Sequence, residues 1–190
     1  MNPRVTTLFN LSARCILRLA LISSLAGATP LVAQSLAHQA HTVSATLVRD
    51  VQDATRAFIN VNNLPAGYQP LFGCVSGPDH GAMGIHYVNL GLVGDGQIVK
   101  EMPEAVIYEP VGNARRLVGV EYIVDAPTWL SNPDNGGLPP QLDGQAFQLV
   151  GVPNRYGIPS PFFELHVWAW RDNPNGAFVD WNNNVTCERQ

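Results

Sequence analysis

The sequence predicts an α+β fold: an N-terminal helix packed on a mostly antiparallel sheet of about five or six strands, with closure into a barrel left open. Three observations point there. One stretch near the N-terminus repeats its apolar residues at helical spacing, and the chain beyond Tyr68 breaks into short apolar runs divided by turn sequences. The composition, 17 Gly and 15 Pro in 190 residues with 14% charged, suits many turns and few exposed helix faces. A single helix followed by strands on short loops builds α+β rather than alternating βαβ units.

Taken in order, residues 1–37 read as a secretory signal. Arg4 and Arg14 precede or open an apolar run from Cys15 to Ala28, and small residues follow. Cleavage is expected after Ala33 or after Ala37, the latter having Ser35 and Ala37 in the small-x-small positions. Arg18 interrupts the run, which argues against a membrane span. Residues 38–190 are then expected to form one domain, exported to the periplasm or beyond the cell, with no integral membrane segment after signal removal. Removing the first 33 residues leaves eight basic and fifteen acidic residues, a balance that disfavours nucleic acid as a partner.

The helix is expected over 42–60, where Leu47, Val51, Ala54 and Phe58 form one stripe and Arg49, Asp50, Asp53 and Arg56 fall elsewhere. Asn63, Pro65 and Gly67 stop it. Strands are expected at 84–93, 105–109, 117–124, 146–150 and 162–170, separated by turn chemistry such as GDG, EPVGN and DNPNG. The Pro-rich stretch 125–145 reads as an ordered surface loop.

Cys15 leaves with the signal, so Cys74 and Cys187 are the remaining pair, and in an oxidising compartment they are expected to form a disulfide.

The chemistry-bearing residues gather around Ser76 to Val93, a His-bearing, glycine-rich loop that runs into an apolar strand. Strand alternation places His86 with Val88 and Leu90. It places His166 with Phe162, Glu164, Trp168 and Trp170, and Glu121 with Leu117, Gly119 and Ile123. A carboxylate within an apolar strand is costly unless paired, neutral or metal-bound. Together His86, Glu121 and His166, with His80 or Asp79 from the loop, form a nitrogen and oxygen donor set suited to zinc, copper(II) or non-haem iron. The functional reading is an open metal site with a bound water. The alternative makes each His a hydrogen-bonded core residue and pairs Glu121 with Arg155 or Arg171.

Cleavage after Ala37 offers a second metal site, an amino-terminal chelate built on His38. A competing functional reading is a non-catalytic ligand-binding or envelope-associated module that stacks a small ligand on Trp168, Trp170 and Tyr87. Short metal motifs, a G-x-S-x-G elbow and a phosphate-binding glycine loop are all missing.

The segments GCVSGPDHGAMGIHYVN, LVGDG, PEAVIYEP, LVGVEYIV, PNRYGIP and ELHVWAWRDNPNGAF, with the closing VTC, resemble a family of small secreted bacterial proteins of no assigned function. The resemblance spans about Thr42 to Cys187. It implies one extracytoplasmic domain with the cysteine pair, and it implies no activity or ligand.

Overall fold

The computed structural model describes residues 45–77 and 80–188. The signal region, His38 and Asp79 lie outside them. Helix α1 (45–55) leads through 3-10 turns at Arg56–Ile59 and Val61–Asn63 into a six-stranded sheet. Its strands are β1 (Tyr68–Ser76), β2 (Ala82–Asn89), β3 (Ala105–Val111), β4 (Ala114–Asp125), β7 (Gln148–Val150) and β8 (Phe162–Val167). They lie in the order β1-β2-β3-β4-β8-β7, every pair antiparallel. The sheet is open, so the expected α+β class holds without closure into a barrel. Strands β5 (Gln141–Leu142) and β6 (Gln145–Ala146) form a separate hairpin.

One face of the sheet carries α1. Leu47 and Val51 are fully buried against Val120, Tyr122, Val124, Leu165 and Val167. The third buried position is Thr55, since Ala54 is only half-buried. Its hydroxyl donates to the Val51 carbonyl at 2.6 Å and accepts from Trp170 Nε1 at 2.9 Å, which satisfies a polar group on the packing stripe. Beyond residue 55 the helix tightens to 3-10 geometry, and Phe58 packs on Val106, Tyr108 and Leu117.

The other face is covered in two parts. The C-terminal segment docks across its lower half, where Val185 packs with Ala82, Ile107, Val118 and Trp168. Asn182 exchanges backbone hydrogen bonds with Ala82, and Cys74 and Cys187 are joined by a disulfide with Cα atoms 5.7 Å apart. The upper half is hollow and holds the site described below.

Several expected elements are corrected. The strand placed at 84–93 ends at Asn89, whose side chain accepts from the Gly91 N–H and starts a single helical turn, α2 (Leu90–Val93). β1 is a strand that the sequence does not suggest, because Pro70 and Gly73 imitate a turn. Both are tolerated because β1 is an edge strand with a bulge, where Phe72 and Gly73 take positive φ. The stretch 125–145 is no plain loop. Asp125 caps α3 (Ala126–Ser131) by accepting from Thr128 N–H and Oγ1, with Pro127 early in the first turn. A register shift between β3 and β4 inserts one extra residue near Val118, which moves Leu117 to the helix face instead of the Glu121 face. β8 stops at Val167, so Trp168 and Trp170 part company.

Candidate metal centre

The register brings three distant residues over one patch of the sheet. Glu121 on β4 pairs directly with His166 on β8, and on its other side with Ala105 of β3. His86 on β2 pairs with Ile107. Directly paired residues share a face, so His86 and Glu121 reach toward one another across β3 above the small side chain of Ala105. His86 Nε2 lies 3.3 Å from Glu121 Oε2. His166 Nδ1 stands 3.9 Å from Glu121 Oε1 and 3.7 Å from Asp180 Oδ1. The two imidazoles meet edge to face at 5.8 Å. One donor atom from each of His86, Glu121 and His166 lies within 4.8 Å of the others, and the same holds for Glu164, His166 and Asp180.

All of this is dry. His86, Glu121, Glu164 and His166 are buried, His166 at 2% exposure. Among the described residues no Lys or Arg forms an ion pair with Glu121, Glu164 or Asp180. Arg155 instead reaches over Trp181, 4.8 Å from the ring centroid, and Arg171 donates to the Asn184 carbonyl, so neither is the partner of Glu121.

Burial and crowding set the protonation states. Burial lowers His86 to about 4, partly offset by a hydrogen bond to the Gly84 backbone. Burial, then the charge of His86, pushes His166 well below its usual range. Glu121 is driven well above the carboxylate range, by burial first and then by the nearby Glu164. Burial also raises Glu164, opposed by hydrogen bonds from Glu121 and from Gln148 Nε2 at 2.6 Å. Burial thus favours neutral imidazoles and a proton held between the hydrogen-bonded carboxyls of Glu121 and Glu164. The lone pair of a neutral imidazole nitrogen is the one a metal uses.

His166 stands apart. Both of its ring nitrogens are buried without a hydrogen-bond partner. Each such orphan costs about 1–3 kcal/mol, which a fold retains only where something else meets it. In a tetrahedral site with bonds of about 2.0–2.2 Å, neighbouring ligand atoms stand about 3.3–3.6 Å apart. The 3.3 Å between His86 Nε2 and Glu121 Oε2 matches that range, whereas the contacts of His166 Nδ1, 3.9 Å to the other Glu121 oxygen and 3.7 Å to Asp180, exceed it and are too long for a hydrogen bond.

Above the cluster lies a cavity of ≈ 170 Å³. His86, Glu121, Glu164, Asp125 and Ser160 are among its polar lining, and Leu71, Val75, Val88, Ile123, Ile158 and Phe162 among its apolar walls.

The structure thus gathers His86, Glu121 and His166 and leaves His80 out: His80 is exposed and belongs to neither cluster. The aromatic surface does not form. Trp168 is buried and stacks on His166 at 6.0 Å, whereas Trp170 crosses to the helix face to meet Thr55. Tyr87 also lies on the helix face, edge to face with Tyr108 at 5.1 Å. Glu164 and Asp180 are additions. Glu164 was within reach of strand alternation, two residues before His166, while Asp180 sits in an aperiodic segment with no spacing to mark it. Comparison of the chain with protein-family models, with curated proteins and with solved structures gives no match.

Proposed function

We propose that this is an exported metal-binding protein that holds one zinc or copper(II) ion with His86 Nε2, a Glu121 carboxylate oxygen and His166 Nδ1. The observation that carries the reading is His166, an imidazole buried to 2% exposure with neither nitrogen partnered. Two imidazoles and a carboxylate match the borderline-soft preference of these ions. Three protein donors leave a coordination position free, the count of an open rather than a closed structural site. Glu164 and Asp180 stand beside His166, and among the described residues no Lys or Arg pairs with these carboxyls, a setting that favours a bound cation. Residence outside the cytoplasm draws support from the Cys74–Cys187 disulfide.

Protein purified without a histidine tag should carry or take up close to one equivalent of zinc or copper by elemental analysis. His166→Leu, which fills a similar volume without polar atoms, should stay folded and lose the ion. Bound ion should raise the melting temperature by mass action, and a chelator should reverse that rise. A protein that takes up neither ion and melts identically with added zinc, added copper and chelator defeats the reading.

A further inference from the structure

The cavity above the cluster runs along β4 and has a second polar end. Glu121, Ile123 and Asp125 share one face of that strand and all line the hollow, with Asp125 four residues, or about 13 Å, from Glu121. Asp125 pairs directly with Phe162, and Ser160 stands beside it. Ser160 Oγ donates to Asp125 Oδ1 at 2.6 Å, while the Thr128 N–H and Oγ1 donate to Oδ2 at 2.9 and 2.7 Å. A carboxylate has about four acceptor positions, so one remains on Oδ1, next to a Ser160 oxygen whose own proton is already committed. Burial alone would raise the Asp125 carboxyl, yet these donors outweigh it and hold the group below its ordinary value.

Among the described residues no Lys or Arg lines the hollow or pairs with Asp125. This end therefore offers acceptors and a negative charge with no cation to meet them, and it opens onto a hollow walled by Val88, Ile123, Ile158 and Phe162. We propose that the cavity binds a small apolar primary amine, its ammonium group on Asp125 and Ser160 and its hydrocarbon body among those apolar walls. An ammonium brings three donors and a charge to that pair of oxygens, where a carboxylate ligand brings only acceptors. A dry cavity of about 150 Å³ admits a benzene ring, so a hollow of ≈ 170 Å³ takes a body of roughly five or six carbons. A chain of that length anchored at Asp125 stops short of Glu121. The amine and a bound ion thus occupy opposite ends of the hollow, and neither requires the other.

The test uses the full chain, zinc-loaded and chelator-treated in parallel, titrated calorimetrically with propylamine, hexylamine and hexanoate. Three additional methylenes buried in the hollow should make hexylamine on the order of 50-fold tighter than propylamine, and hexanoate should bind the chelator-treated protein far more weakly than hexylamine does. Asp125→Asn, which keeps the cap on α3 but removes the charge, should weaken hexylamine about tenfold or more while zinc uptake is unchanged. Leu90→Lys, at a rim position 66% exposed, places a positive charge at the mouth and should weaken hexylamine several-fold; it serves as the second variant if Asp125→Asn misfolds. Hexylamine that binds only when zinc is loaded sits on the ion and overturns the proposal. Equal affinity for hexylamine and either of the other probes on chelator-treated protein also overturns it, as does a folded variant of either kind that binds hexylamine like the wild type. Failure to take up zinc, measured separately by elemental analysis, overturns the metal reading alone.

Discussion

At the scale of single residues, the buried carboxyl Glu104 offers a test of the electrostatics at a residue that is not itself a proposed ligand. It accepts from the Ile123 N–H at 2.9 Å, yet burial raises it to about 8 from an ordinary 4.5. Between those pH values the folded protein keeps a proton that the unfolded chain releases, so stability falls as pH rises through the window, by up to about 1.4 kcal/mol per pH unit. His86, lowered to about 4, acts oppositely but only below about 6.5, where the unfolded chain takes up its proton. Glu104→Gln keeps the acceptor and removes the titration, so the variant should gain on the wild type from pH 5 to pH 8 in urea melts. A constant difference between the two proteins would contradict it. The residues of the centre were legible to the extent that strands alternate: His86, Glu121 and His166 each came from period two on a strand. Trp170 misled because alternation was carried past the end of β8, His80 because a loop residue near β2 in sequence need not lie over its face, and Asp180 has no period to read.

At the scale of elements, the position of His86 depends on how closely β2 can approach β3. Gly84 has φ of +100°, and a Cβ placed there would stand 2.8 Å from the Tyr108 carbonyl oxygen. Gly84 also supplies the backbone hydrogen bond to the His86 ring. Gly84→Ala should destabilise the protein by about 1–3 kcal/mol through backbone strain and weaken zinc uptake, because β2 must shift against its neighbour. Chemical denaturation paired with zinc titration checks both, and a variant unchanged in each would show that the strands have slack. The sheet was readable where its residues are apolar and alternate, as in β4 and β8. β1 was hidden by Pro70 and Gly73, which break the local pattern but are harmless on a bulged edge. α3 was hidden because six residues are too few to show a helical period, and its signal is the Asp125 cap alone.

At the scale of the whole molecule, the Cys74–Cys187 bridge spans 113 residues and encloses β2, β3, β4 and β8, and with them every proposed ligand. Closure of a loop that long stabilises by about 4–5 kcal/mol in the chain-entropy model. Replacing both cysteines with Ala should lower stability by up to that amount in denaturant melts. The intact mass of exported protein should correspond to a chain that starts at Gln34 or His38 with both thiols oxidised; two free thiols in fresh exported material would refute the crosslink. β1 has a further consequence at the molecule's border. Pro70 has no N–H to offer a passing strand, and Phe72 and Gly73 turn the backbone out of line at φ of 64° and 68°. The opposite border, β7, is three residues long. Neither rim presents the long, flat row of free amides on which sheets polymerise, so the open sheet is guarded against fibre growth by the same irregularities that obscured its first strand.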